Sequence, residues 1–401
     1  MFTLRKQVRL QSLIRFKVIK NGALWGRGSV DDKTPIAILM YGMRALLDTG
    51  LPFKKKILLL VGTDEESTNE DVTYYLKSNK APDNTIVVDS EYPVVCAEKG
   101  WCGLWLKLPL TSAEPHAHGS GFLIQKIQSG ISVSVVPGKA KATVKPVGLS
   151  MKEASATLEE QISRFHKERQ GSDLKMTVSG NQIILSAKGR SVHSSVPETG
   201  HNALMDLLVF LDKYVNPLSN NAALMAKFAS TYVGFELNGE SLGIAHHHDF
   251  MGDVTVAGNL FETDEDSVMF MFNFRIPVGI SETKINDEFD KRVQEFSQRY
   301  NLRFSEKRLF YDKPLYTDPQ RPFVKKLLSI YNRVTGENAK ARSIGGSTYA
   351  KRIPNSALFG PALPHEEYLG HQPNEHMKLS TISRNIEILT FTLFEFAFQQ
   401  D

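Results

Sequence analysis

Two short apolar runs, each ending in carboxylates, constrain what this chain can fold into. In "KKKILLLVGTDEES" an unbroken apolar run, 57–61, follows three lysines and leads into Asp64, Glu65 and Glu66. In "NTIVVDSEYP" the run 86–88 leads into Asp89 and Glu91. A strand that is apolar at every residue is covered on both faces, the situation of a parallel strand inside an α/β sheet. Such sheets place ligand chemistry beyond the carboxyl ends of their strands. The runs therefore predict two strands that carry acids to the same edge of one sheet.

The flanking sequence fits that frame. Thr34 and Pro35 begin a helix as N-cap and first helical residue. Ile36, Leu39, Met40, Met43 and Leu47 follow at helical spacing, and Gly50 stops it. "FKVIKNGALWGRGS" reads as a hairpin turning at Asn21-Gly22, and a short helix is expected at 72–76. Beyond about Leu106 the texture changes to shorter strands that alternate apolar and polar residues: "KATVKPVGLS", "LKMTVSGNQIILSAKG" and "DSVMFMFNFRIPVG". Two helices intervene, at 152–164 and 202–214. From about Pro314 the α/β texture returns, with a helix at 323–335, a Gly345-Gly346 loop, the strand "SALFG" and a last helix at 380–398. The expected fold class is α/β. A domain with a mostly parallel sheet, 1–106 and 308–401, carries an inserted α+β domain, 107–307.

Composition narrows the function classes. The 401 residues leave room for two cores, and 41% hydrophobic with 23% charged residues is ordinary for a soluble globular protein. No apolar stretch is long enough to span a membrane. A net charge of +4, without a basic stripe interleaved with aromatics, gives no reason to expect nucleic acid. Cys96 and Cys102 are too few for a disulfide scaffold and are not spaced as a zinc knuckle or redox pair. They are expected as reduced thiols of a cytoplasmic protein. The first residues, "MFTLRKQVRLQSLIRF", are basic and acid-free like a transit peptide, but the hairpin that follows at once argues for mature structure.

Asp31, Glu65, Glu66, Asp89 and His371 lie at the ends of apolar strands or in glycine-rich turns. Zinc and similar ions accept this oxygen and nitrogen set. Clustered carboxylates repel one another unless a cation lies between them, and a neighbouring glutamate can take a proton from an activated water. Two histidine-rich stretches are expected to be unrelated. His246, His247 and His248 cannot all face one ion and read as a surface loop, and "HAH" at 116–118 follows no apolar strand.

"GRGSVDDK", "VGTDEES", "VDSEYP…EKG" and "IGGSTYA…LFGPALP…GHQPNE" occur in that order. Together they resemble the motifs of the M20 metallopeptidases, most closely the PepV-like dinuclear zinc dipeptidases, over nearly the whole chain. The resemblance implies a three-layer catalytic domain and a lid domain, hydrolysis of dipeptides by metal-activated water, and two zinc ions, which cobalt or manganese can replace. It makes Asp31 the carboxylate shared by both ions, Glu65 the general base, Glu66 and His371 ligands of one ion, and Asp89 a ligand of the other. In the lid motif "KGRSVHSSVPETGHNAL" it makes His193 the donor to the scissile carbonyl. It makes Arg275, in "NFRIP", the grip on the substrate carboxylate, with Gly345 and Gly346 lining that subsite.

The chain also departs from the family pattern. A His-x-Asp strand a few dozen residues before Gly-Arg-Gly has no counterpart, since no histidine precedes His116. Thr34 replaces a glycine, and Ser134 stands where a lid asparagine is common. The expectation is a dipeptidase that starts late, holds one ion or none, and has impaired activity. A non-catalytic remnant that binds peptide carboxylates is the second reading, and an N-acyl amino acid deacylase the third. An internal lid implies a monomer, with self-association through exposed core where sheet strands are missing.

Overall fold

A computed structural model of the chain describes residues 18–110, 120–215 and 217–398. The segment 1–16 and the histidines at 116–118 lie outside the described residues. Eight α-helices occur among them: α1 (Lys33–Asp48), α2 (Glu70–Ser78), α3 (Met151–Glu168), α4 (Ala203–Lys213), α5 (Asn221–Tyr232), α6 (Glu282–Tyr300), α7 (Pro322–Thr335) and α8 (Leu379–Phe398). No helix among the described residues is long and apolar enough to cross a membrane.

The chain divides into two compact units, Met1–Glu98 with Leu315–Asp401, and Lys99–Pro314. The inserted unit is therefore longer at both ends than 107–307. Its first strand, Gly100–Pro109, pairs along its length with Ser267–Ile276 and also carries Glu306–Asp312.

In the first unit the hairpin forms as expected, with Asn21 at φ +51° and Gly22 at φ +68°. Its second strand, Ala23–Trp25, pairs with His376–Lys378. A mixed sheet runs in the order Leu315–Tyr316, Val95–Glu98, Ser356–Leu358, Thr85–Val87, with Arg342–Ile344 also on Val95–Glu98. The pairs made by Arg342–Ile344 with Val95–Glu98 and by Ser356–Leu358 with Thr85–Val87 are parallel. Ser356–Leu358 meets Val95–Glu98 antiparallel. Helix α1 begins at Lys33, ahead of the expected start, so Pro35 falls in the first turn, where its missing N–H costs nothing. The stop at Gly50, φ +69°, is as expected.

One expectation fails here. The run 57–61 forms no strand: among the described residues no ladder takes up its backbone, and Leu58, Leu60 and Val61 are 48%, 40% and 49% exposed. An apolar run becomes a strand only where a neighbour satisfies its N–H and C=O groups. Thr85–Val87, the nearest candidate in type, pairs only with Ser356–Leu358 among the described strands. An open apolar groove of about 900 Å³, lined by Ile38, Tyr41, Phe391 and Phe394 among others, lies between α1 and α8.

The inserted unit is an antiparallel eight-stranded sheet, ordered Glu306–Asp312, Gly100–Pro109, Ser267–Ile276, Thr255–Thr263, Gly121–Ser129, Lys139–Val147, Gln182–Lys188, Asp173–Ser179. It carries four helices where two were expected; α5 and α6 are the additions. Asn202 caps α4 by accepting from Leu204 and Met205 N–H, and Ser150 with Glu153 forms a capping box on α3. The period of two along Ser267–Ile276 puts Phe270, Phe272 and Phe274 on the core side and Asn273 and Arg275 on the other. Phe272 is fully buried, with Phe270, Phe274 and Phe289 at 5.7, 6.1 and 5.6 Å between ring centroids. Phe272→Ala is expected to cost about 3–5 kcal/mol, read as a lower urea midpoint for the fluorescence of Trp101 and Trp105. The histidine stretch is a small hairpin rather than a plain loop: His247–His248 pairs with Gly252–Asp253, and His247 Nδ1 lies 2.7 Å from Asp253.

Candidate metal centre

Two aspartates shape the acidic turn before its glutamates act. Asp64 accepts from the Ser67 and Thr68 hydroxyls and from Glu70 N–H at 2.9 Å. Those bonds hold its carboxyl down to about 2. Asp71 accepts from Thr63 N–H at 2.7 Å, Asp64 N–H at 3.1 Å and the Tyr349 hydroxyl at 2.8 Å. Asp64, one of the three clustered acids, is thus spent on the turn. Hydroxyls three and four residues after an aspartate were the available sign of this role.

The turn leaves Glu66 exposed and Glu65 half-buried. Glu66 Oε1 lies 2.6 Å from His371 Nε2, and the same nitrogen lies 2.8 Å from Asp31 Oδ2. Tyr368 donates its hydroxyl to the same Asp31 oxygen at 3.1 Å. His371 sits at φ +62°, a backbone region that costs energy for a residue with a side chain. Among the described residues Asp31, Glu66 and His371 form the one group of three such side chains with ligand atoms within 4.8 Å of one another.

The charges around this group are unbalanced. Hydrogen bonds to Asp31 and Glu66 raise His371 to about 10, so its imidazolium stands between the two carboxylates. Burial acts to raise Asp31, but His371, Tyr368 and Arg27 outweigh it and hold that carboxyl below its ordinary range. Burial, then Asp89, Glu66, Asp31 and Glu98, push Glu65 up to about 9. Burial, then Asp31, Asp32, Glu66 and Glu98, push Asp89 up to about 8. Asp89 therefore shares the field of the cluster without belonging to the three-ligand group. Two carboxylate oxygens and an imidazole nitrogen, with further acids facing them, are a donor set that fits a zinc-like ion.

Gly345 and Gly346 follow the strand Arg342–Ile344, and a methyl at Gly346 would lie 3.1 Å from the Ile344 side chain. In the inserted unit, Ser195 N–H donates to His193 Nδ1 at 3.3 Å, and the Ser195 hydroxyl is 2.7 Å from the same nitrogen. A neutral ring that accepts at Nδ1 carries its proton on Nε2. Arg275 is 3% exposed, and its Nε donates to Asn273 Oδ1 at 3.2 Å. Ser194 Oγ donates to the same oxygen at 3.2 Å, which ties the His193 loop to Arg275. Asn259 in turn accepts from Asn273 N–H at 3.0 Å and donates to Val135 C=O at 2.9 Å. The sequence reading passed over Asn259, Asn273, Tyr368 and Glu375, which have partners far along the chain, and Ser195, whose hydroxyl and N–H meet the side chain of His193 two residues before it.

The chain matches the model of peptidase family M20/M25/M40 over residues 8–395. It belongs to this peptidase family. A Staphylococcus aureus (strain USA300) protein provisionally named a dipeptidase is 31% identical over 364 residues, 90% of this chain and 74% of that protein. The counterpart from S. aureus strain bovine RF122 is 31% identical over 361 residues, with the same coverage. Among solved structures, human carnosine dipeptidase 1 superposes with a TM-score of 0.50 at 12% identity, over 95% of this chain and 74% of that one. That likeness supports the fold alone. As an M20 peptidase, the chain carries Asp31, Glu66 and His371 on segments whose motifs suggested the family.

Proposed function

We propose that this M20 chain hydrolyses dipeptides and other short peptides, using one divalent cation, zinc by its donor set, held by Asp31, Glu66 and His371. The observation that carries this reading is the convergence of those three side chains beside Glu65. A cation bound there supplies Lewis acidity and an activated water near neutral pH. Glu65, beside these three side chains, would serve as the base toward such a water and as the acid toward the leaving amine. His193, with its proton held on Nε2 by Ser195, donates to the oxyanion that forms on the scissile carbonyl. Arg275, aligned by Asn273, holds the substrate's terminal carboxylate as a fork of two donors.

A second ion at Asp89 would be weakly held, because among the described residues no imidazole joins it in a ligand group. Reduced activity relative to two-ion members of the family follows. The test is to count metal in the purified chain after loading with zinc, cobalt or manganese and to assay a panel of dipeptides. About one ion per chain with turnover supports the reading. No ion and no turnover would favour the alternative, a peptide-carboxylate-binding remnant, for which the buried Arg275 is the motivating feature.

Ser195→Ala offers a finer check. The substitution removes the hydroxyl contact but keeps the backbone N–H on His193 Nδ1, so the tautomer is retained while the ring is freer to turn, and kcat is expected to fall by up to about tenfold with KM little changed. A rise in KM alone would place Ser195 in substrate binding instead.

A further inference from the structure

We propose that Glu375 is the positioning residue that holds Asp31 opposite His371, so that the two can share one cation; this rests on the metal reading above. Glu375 is 3% exposed, and it lies four residues beyond His371 in the same loop. Its Oε1 accepts from Gly28 N–H at 3.0 Å, Val30 N–H at 2.8 Å and Asp31 N–H at 3.1 Å. Its Oε2 accepts from the Arg27 guanidinium at 2.7 Å and again from Gly28 N–H at 3.1 Å. Its own carbonyl accepts from Gly26 N–H at 3.0 Å.

A buried carboxylate is tolerated only when its charge is met by donors, and here the whole glycine-rich turn supplies them. The turn can wrap so tightly because Gly26 and Gly28 take φ +148° and +84°. The neighbouring residue extends the same seam: the His376 ring stacks on Trp25 at 4.0 Å and 14°, and the two are strand partners. The peptide N–H of Asp31 is therefore anchored to the loop that carries His371. Glu375 touches neither ligand atom, so it acts through Asp31.

The Glu375→Gln substitution keeps the size but replaces one acceptor oxygen by an NH₂ group. Either the three amides or Arg27 and Gly28 must then face a donor. Cobalt(II) is titrated into wild type and E375Q, with the visible absorption of the bound ion and far-UV circular dichroism recorded together. The expected result is unchanged circular dichroism, affinity about tenfold to a hundredfold weaker, and an altered cobalt spectrum. A folded E375Q with wild-type affinity and spectrum overturns the inference while leaving the metal reading intact. A wild-type chain that takes up no cobalt overturns the metal reading, and this inference with it. If E375Q does not fold, amide exchange in metal-free wild type decides. Protection at Gly28, Val30 and Asp31 supports the clamp, and exchange at the rate of an exposed loop overturns it.

Discussion

Glu65→Gln is expected to lower kcat for dipeptides by about 10²–10⁴-fold, the usual contribution of a positioned general base, while the bound metal stays at the wild-type level. The substitution keeps shape and hydrogen-bonding length and removes only the ability to take a proton. Glu65 is not one of the three clustered ligands, which is why metal content should not follow activity. Its environment explains the size of the effect. In the metal-free protein, burial and the charges of Asp89, Glu66, Asp31 and Glu98 keep its proton on up to about pH 9. A cation among those acids cancels much of the charge that raises Glu65, and brings it into the range where a base works at neutral pH. Wild-type turnover in Glu65→Gln would remove Glu65 as the base. Loss of metal together with activity would make it a ligand instead.

The parts of this molecule that were legible from sequence are those set by local chemistry. The turn at Asn21-Gly22 needs two residues at positive φ, and Asn-Gly is the dipeptide that supplies them. Helices α7 and α8 carry their spacing within their own segments, and α7 also carries its stop at Gly336. Helix α6 was equally readable in principle: Ser281 caps it, and Ile285, Phe289 and Phe296 share its buried face. Helix α5 was harder, since its small and apolar residues are buried on most sides and show little periodicity. The run 57–61 was misread because burial of a strand depends on a partner elsewhere in the chain, which composition does not reveal.

The site follows the same division. Asp31, Glu66 and His371 could be named because metal binding restricts residue type and because their motifs occur in order. Their supports could not. Glu375 serves backbone N–H groups at the far end of the sequence, and Asn273, which accepts from Arg275, also accepts from Ser194 in a loop 79 residues earlier. Neither relation has a spacing that sequence alone displays. Asp89, which its motif assigns to a second ion rather than to this one, shares the field of the group and stands outside it.

Metal binding should tighten steeply between pH 6 and 8, and the metal-free protein should lose stability over the range from pH 6 to 9. His371, raised from 6.5 to about 10, keeps a proton at pH 7 in the folded metal-free chain. Glu65, raised from 4.5 to about 9, and Asp89, raised from 3.8 to about 8, do the same. A ligand nitrogen must give up its proton to bind metal, and each proton released makes the affinity climb about tenfold per pH unit. Stability has the opposite slope. Above the unfolded values of these groups the folded chain binds more protons than the unfolded one, so stability falls as pH rises toward their folded values. For His371 the contribution is complete below about 6.5 and is lost as pH rises through about 10. Asp31 is lowered and has the reverse sign, but its window lies below 3.8 and does not enter this range. Melting curves of the chelator-treated protein from pH 6 to 9 should therefore move to lower temperature, while cobalt- or manganese-loaded samples hold or gain. Titration calorimetry in buffers of different ionisation enthalpy should show proton release on binding at pH 7. A metal-free melting temperature that rises over this range, with no proton released on binding, would mean that His371 is already neutral in the folded chain and would remove the imidazolium from between Asp31 and Glu66.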